Sequence, residues 1–268
     1  MMTARQSLPL FILLASLGFG LPAIAADAAK PAATEAPAAK PSTPHDYETC
    51  IGLTDREAAK ALDYARAWKS LGGGQAALHC EALALSSLGE ADEAAARFQE
   101  LADGMNAAPD ETRAEVYAQA GTAWAVAGNL GKARAAYDEA IKRAPQEPAL
   151  YLGRARVRAL AKDWDGVRAD AGEALAESPT LVDALTLRAT ALRNLGYPKA
   201  ALADAERAAA LAPHNLDALL ERGRMRAATG NVAGARADWQ DVVRFAKEMN
   251  RADDPAAAAA QGLLDKGK

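Results

Sequence analysis

Six charged residues recur along the sequence at a spacing that favours ion pairs. Each aspartate follows an arginine by 16 residues, and the pairs repeat every 34 residues: Arg154 and Asp170, Arg188 and Asp204, and Arg222 and Asp238. A further segment of the same period has alanine at both places, Ala120 and Ala136. Because the two charges occur together and are absent together, we interpret them as structural ion pairs, which fix register more dependably than they add stability. A ligand site built from the same residues is the alternative.

Cys50 and Cys80 are the only cysteines of the chain. In an exported protein, an even and minimal pair of cysteines favours a disulfide. The alternatives are weaker, because the chain has no CxxC redox motif and His79, the only nearby histidine, leaves too few ligands for zinc. We therefore expect a Cys50–Cys80 disulfide that ties the N-terminal end to the first repeated unit.

The remaining residue types do not suggest catalysis. The three histidines, His45, His79 and His214, are scattered, and there is no phosphate-binding glycine loop, nucleophile elbow or metal-ligand spacing. The formal net charge of −4 indicates no general preference for nucleic acid. We expect a protein that is not an enzyme, with no catalytic residues, metal or cofactor. An enzyme whose residues converge without a recognisable motif is the open alternative.

The elements that carry these residues repeat with the same period. Pro145, Pro179 and Pro213 are 34 residues apart, and from Thr54 onward the apolar spacing is helical, without strand-like alternation. A fixed period of this length with proline near the end of each unit predicts stacked helical hairpins. We number the places of a unit from its first residue; the five units begin at Gln75, Ala114, Pro148, Val182 and Leu216.

The unit from Ala114 to Glu147 resembles the tetratricopeptide repeat (TPR) family. Its family-like residues at places 4, 8, 11, 20, 24, 27 and 32 are Tyr117, Gly121, Trp124, Ala133, Tyr137, Ala140 and Pro145. Two later units depart from the pattern, with Arg158 and Arg226 at place 11. The resemblance implies an all-α fold, a right-handed α-solenoid of stacked antiparallel hairpins. We expect a half-repeat and a first hairpin over 47–113, four tandem units over 114–247, and a capping helix and tail over 248–268.

The resemblance also implies where a ligand would bind. In this family the inner, concave face is lined by first-helix side chains at places 2, 5, 9 and 12, and it binds peptide segments. Carried over to this chain, those places and their neighbours give Gln119, Thr122, Arg156, Thr190, Arg193, Asn194 and Arg224. The three arginines would form a cationic strip that grips carboxylates. Solvated arginines without a ligand are the alternative, and the paired Lys and Asn clamp of some family members is not evident.

The N-terminus predicts export. Residues 1–25 contain one basic residue, an apolar run and a small-x-small site ending at Ala25, which is typical of a cleaved signal peptide. Residues 26–46 are rich in Ala and Pro with almost no large apolar side chain, which predicts a disordered linker. We expect an exported protein, most simply periplasmic, without stable membrane insertion after cleavage. An uncleaved membrane anchor is the alternative.

Together these patterns predict a non-catalytic scaffold or peptide-binding adaptor of the cell envelope, whose partner is a protein or peptide and not a nucleic acid. A membrane-held subunit of an envelope complex and a self-assembling structural module remain alternatives.

Overall fold

The computed structural model describes residues 46–266, and these residues form α-helices joined by short turns, with no strand among them. The helices in chain order are α1 (Tyr47–Thr54), α2 (Ala58–Ser70), α3 (Gly74–Ser87), α4 (Ala91–Gly104), α5 (Asp110–Val126), α6 (Leu130–Arg143), α7 (Pro148–Leu160), α8 (Trp164–Glu177), α9 (Val182–Asn194), α10 (Pro198–Leu211), α11 (Leu216–Ala228), α12 (Val232–Glu248) and α13 (Pro255–Lys266). The predicted signal peptide, and all of the predicted linker except Asp46, lie outside the described residues.

Local sequence signals define the ends of the repeated helices. The helices α6, α8 and α10 end at Arg143, Glu177 and Leu211, just before Pro145, Pro179 and Pro213. Proline disfavours helical backbone at the preceding residue and offers no N–H to continue the helix. Three of the even-numbered helices begin with a side-chain cap, in which Asn129, Asp163 and Asn231 accept backbone N–H bonds from Lys132, Gly166 and Gly234.

The helices stack in chain order as antiparallel hairpins, and the stack has an inner face. Each helix packs against the next one along the chain. Odd-numbered helices also contact each other, as α7 does α9 and α9 does α11, whereas no comparable contact joins two even-numbered helices of the described chain. The odd-numbered helices are therefore closer together and line the inner face. The predicted fold class, an all-α solenoid of stacked hairpins with a C-terminal capping helix, is confirmed.

Close helix packing depends on small residues beside an aromatic ring. The ring of Tyr137 is buried between α5 and α7. A Cβ added at Gly121 would lie 2.7 Å from this ring, and one added at Gly153 would lie 2.2 Å from it. Because real Cβ atoms do not approach so closely, both helices pack against the ring only with glycine at these places.

Ion pairs join the two helices of three hairpins. Arg154, Arg188 and Arg222 each donate two hydrogen bonds to the aspartate sixteen residues later, Asp170, Asp204 and Asp238, over distances of 2.7–3.1 Å. The aspartates are buried, and burial without such donors would disfavour their charged form. The carboxylates raise the pKa of Arg154 and of Arg188 against the opposing effect of burial, so both guanidinium groups stay charged.

The arginines at place 11 belong to the same clusters. Arg158 lies 3.3 Å from Asp170, and Arg226 lies 2.9 Å from Asp238. Each of these arginines replaces the expected apolar residue at place 11, and each has an acidic partner inside its own hairpin. The unit that begins at Val182 has Leu192 at place 11, and its Asp204 is the more exposed aspartate, with 12% of its side chain accessible against 2% for the other two.

The first full unit has the opposite charge arrangement, which the sequence analysis did not detect. Glu81 occupies place 7 and Arg97 occupies place 23, with 3.4 Å between Glu81 Oε1 and Arg97 Nε. Lys69 and Arg66 of α2 also approach Glu81, at 3.2 and 3.6 Å. The buried carboxylate of Glu81 thus connects α2, α3 and α4.

The N-terminal end has two helices where the predicted half-repeat, which is one helix of a hairpin, would supply one ahead of the unit at Gln75. Two helices, α1 and α2, precede α3. Helix α1 contacts both α2 and α3, in the same way that the first helix of a unit contacts its own second helix and the first helix of the next unit. Cys50 of α1 and Cys80 of α3 form a disulfide and are fully buried. They belong to a small apolar cluster with Ala65, Trp68 and Ala77.

The C-terminal end is covered by α13. Asp254 accepts a hydrogen bond from the Ala256 N–H at 2.8 Å, and Pro255 is the first residue of the helix. Ala256, Ala257 and Ala260 are buried against α11 and α12, which keeps the last hairpin core from water. No helix within residues 46–266 is both long and apolar enough to cross a membrane.

Candidate functional site

A cleft of about 290 Å³ crosses the inner face between α7, α9 and α11. It is lined by Arg156, Asp183, Thr186, Leu187, Thr190, Asn215, Asp217, Leu220, Glu221 and Arg224. Three of the seven residues predicted to bind a ligand, Arg156, Thr190 and Arg224, are among them. The stacking of the odd-numbered helices places residues from three successive units around one opening, although they are far apart in sequence.

An ion pair spans the outer part of the cleft. Arg156 Nη2 of α7 lies 2.6 Å from Asp183 Oδ2 of α9, and both side chains are about half exposed, at 58% and 50%. Exposed pairs of this kind contribute little to stability, because water screens them and ordering both side chains costs entropy. The Arg156–Asp183 pair therefore adds little to the stability of the fold.

Glu221 neutralises the other two predicted arginines. Its carboxylate lies 2.6 Å from Arg193 Nε and 3.3 Å from Arg224 Nη1, and only 3% of its side chain is exposed. The sequence analysis predicted a cationic strip from Arg156, Arg193 and Arg224, but the structure gives each of them an acidic partner. Asp183 meets Arg156, and Glu221 meets Arg193, across a unit boundary, which the period of 34 residues does not reveal. The contact of Glu221 with Arg224, three residues later on α11, could have been predicted from the sequence. The surface is therefore mixed in charge.

Asp217 is the carboxylate in this cleft without a close partner. Its side chain has no hydrogen bond or ion pair with another side chain of the described residues, and Asp217 is exposed. Partial burial in the cleft raises the pKa of Asp217 above its ordinary value, and the nearby carboxylates of Asp254 and Asp183 raise it further. Arg251 and Arg224 act in the opposite direction. Asp183 and Asp217 share place 2 of their units, which is the sequence signal that could have identified them.

Gln119 lies at the N-terminal part of the inner face, where it contacts a histidine. Gln119 Oε1 is 3.0 Å from His79 Nε2, and the Tyr47 hydroxyl is 2.6 Å from His79 Nδ1. Because Oε1 is an acceptor, Nε2 carries the ring proton and Nδ1 accepts from Tyr47. Burial lowers the pKa of His79, with the Gln119 hydrogen bond acting in the opposite direction, so the neutral ring is favoured.

The remaining predicted residues have intramolecular partners. Thr122 Oγ1 donates to the Ala118 carbonyl and accepts from the Tyr137 hydroxyl, at 3.0 and 2.8 Å. The side-chain amide of Asn194 donates to the Thr190 carbonyl at 2.8 Å. Gln119 and Thr122 are on α5 and do not line the cleft, so the structure divides the predicted set between two parts of the inner face. No group of acidic, histidine and cysteine side chains in residues 46–266 could hold a metal ion.

Comparison with known proteins finds the fold but no relative in sequence. No family model matches the chain, and no curated protein sequence is significantly similar to it. The crystal structure of MamA is 12% identical, with a TM-score of 0.55 over 63% of this chain and 96% of that chain. MamA 41-end from Desulfovibrio magneticus RS-1 is 17% identical, with a TM-score of 0.55 over 69% and 96%.

YrrB, described as a TPR protein with an unusual peptide-binding site, is 18% identical, with a TM-score of 0.53 over 74% of this chain and 96% of YrrB. Identities this low show a shared fold and nothing more specific. The fold of residues 46–266 is therefore a TPR-like solenoid.

Proposed function

We propose that this protein is a non-catalytic interaction scaffold that binds a segment of a partner protein across its inner face. The proposal is based on the cleft between α7, α9 and α11, where side chains from three units surround one cavity that is open to solvent. Its volume, about 290 Å³, is at the small end for ligand pockets and suits one or two side chains of an extended chain. A peptide-binding site has been described for YrrB, which has the same fold.

The proposal extends to the cell envelope. It is supported by the sequence of residues 1–25, which has the layout of a signal peptide, and by a buried disulfide, which persists in oxidising compartments. The intact mass of protein purified from its native cells tests this part. A mature chain that begins at Ala26 and gains alkyl groups only after reduction supports export. A chain that retains residues 1–25 supports a membrane-held subunit instead.

Peptide binding is tested by selecting random peptides on the purified chain and measuring their affinity for two matched variants. Thr190→Trp places a large ring in the cleft, whereas Ala203→Trp places the same ring on the exposed surface of α10, in the same hairpin. We expect the first variant to weaken binding at least about tenfold and the second to bind as the parent does. Selection of no peptide, or equal effects of the two variants, would contradict the proposal.

A further inference from the structure

We propose that the cleft receives a basic side chain of the bound segment, Lys or Arg, with Asp217 as its anionic partner. This inference rests on the proposed function and names the chemistry of its ligand. The arginines are already paired, Arg156 with Asp183 and Arg193 and Arg224 with Glu221, so a ligand carboxylate would compete with an existing partner.

The negative charge of Asp217, in contrast, is not compensated by a direct contact. Its charged neighbours are Asp183, Asp254, Arg224 and Arg251, and each of them has an ion-pair partner of its own: Asp183 pairs with Arg156, Arg224 with Glu221, and Asp254 with Arg251 at 2.6 Å. A cation that enters beside Asp217 gains a carboxylate without breaking any of these pairs. Charge complementarity therefore favours a basic ligand group over an acidic one.

The walls of the cleft suit the rest of such a side chain. Leu187 and Leu220 provide apolar surface for the methylene groups of Lys or Arg, which commonly pack on apolar surface while the charged end stays in a polar environment. The Thr186 hydroxyl uses its proton in a 2.9 Å hydrogen bond to the Val182 carbonyl, so its oxygen presents lone pairs to the cleft. The side chain would thus meet an apolar wall, one carboxylate and one further acceptor.

The test uses three fluorescent mixtures of random dodecapeptides that differ only in a fixed central residue, which is Lys, norleucine or Glu. Norleucine keeps the methylene chain of lysine and removes its charge. Binding to the full chain is measured by fluorescence anisotropy. We expect the Lys mixture to bind about tenfold more tightly than the norleucine mixture, and Asp217→Asn to remove this difference. The control is Asp165→Asn, which changes an exposed carboxylate on the even-numbered helix α8 and should preserve it.

The outcomes separate this inference from the proposed function. If the mixtures bind in a manner that Thr190→Trp weakens, but Lys gives no advantage or Asp217→Asn leaves its advantage intact, the basic-ligand inference is wrong and peptide binding stands. Tightest binding by the Glu mixture would also overturn the inference. If no mixture binds, or Thr190→Trp has no effect on any of them, the proposed function fails and the inference fails with it.

Discussion

At the scale of single residues, the buried charges differ in how many partners they have. Asp170 and Asp238 each lie against two arginines, whereas Asp204 has Arg188 as its ion-pair partner in the described chain. Removing one member of a buried pair leaves the other desolvated and uncompensated, which costs more than removing both. The Arg188–Asp204 pair is therefore the simplest place to measure what these ion pairs contribute.

We predict that Asp204→Ala lowers the free energy of unfolding by about 1–3 kcal/mol. This is less than for a fully buried pair, because 29% of the Arg188 side chain remains exposed. The double variant Arg188→Ala with Asp204→Ala should lose less than the sum of the two single variants, as expected for coupled neighbours. Urea unfolding followed by circular dichroism measures all three variants. Strict additivity would show that the two side chains are not coupled.

A second prediction at the scale of single residues concerns His79 and the pH dependence of the free energy of unfolding. Its pKa is lowered in the folded chain, so as the pH falls below about 6.5 the unfolded chain binds a proton that the folded chain does not. Stability should therefore decrease on acidification until the pH reaches the folded pKa. We expect His79→Gln to reduce the loss of stability between about pH 7 and pH 5, measured by urea unfolding.

The sequence alone could identify the Arg and Asp places but not the acids of the cleft. Arg154 and Asp170 share one unit, so the period of 34 residues aligns them with the equivalent pairs. Glu221 contacts Arg193 across a unit boundary, and nothing in the period indicates which residues meet there. The Glu81–Arg97 pair occupies the expected places with reversed charge, so a search for repeated residue types did not detect it.

At the scale of the helices, the N-terminal hairpin depends on few apolar contacts. The cluster around α1 and α2 has Trp68 as its one buried ring, and the partly buried rings of Tyr47 and Tyr64 pack against it. The sequence YETCIGLT of α1 shows no amphipathic pattern, which explains why this helix was not predicted. Its position results from the disulfide and from the Tyr47–His79 hydrogen bond more than from a helical propensity of its own.

We therefore predict that replacing both cysteines, Cys50→Ala with Cys80→Ala, lowers the stability of this end by about 3–4 kcal/mol. The estimate comes from the entropy of closing a loop across a sequence separation of 30. Hydrogen exchange followed by mass spectrometry should show faster exchange in α1 and α2 and little change in α9 to α12, because repeat units contact their neighbours only. Equal acceleration in all helices would contradict this prediction.

At the scale of the whole molecule, the apolar core is divided. One cluster extends from Leu78 to Val157 and another from Leu152 to Ala260, so both reach α7. Around α7, α8 and α9 the cluster between them is small, consisting of Ala155, Val167 and Ala191. The hairpin of α7 and α8 has Arg158 where the family pattern has a large apolar residue. Its ion pairs take the place of a continuous hydrophobic contact.

The divided core predicts that damage stays local. Leu85 and Leu185 are both buried, one in each large cluster, and we expect Leu85→Ala and Leu185→Ala each to cost about 2–5 kcal/mol. Hydrogen exchange should accelerate in α3 to α6 for the first variant and in α9 to α12 for the second. If either substitution accelerates exchange in both halves to the same extent, the two clusters unfold as one unit and the prediction is wrong.

The ion pairs at places 7 and 23 also bear on how such a gene can change in length. Both members of each pair lie in one hairpin, so duplicating or deleting a segment of 34 codons copies or removes a complete pair and leaves no unmatched charge behind. Other ion pairs do cross a unit boundary, among them Arg154 with Asp138, Arg156 with Asp183, and Arg193 with Glu221, each at 2.6 Å. Insertion or loss of a whole unit therefore preserves the pairs at places 7 and 23, whereas the pairs at the junctions depend on which residues the new neighbouring unit supplies.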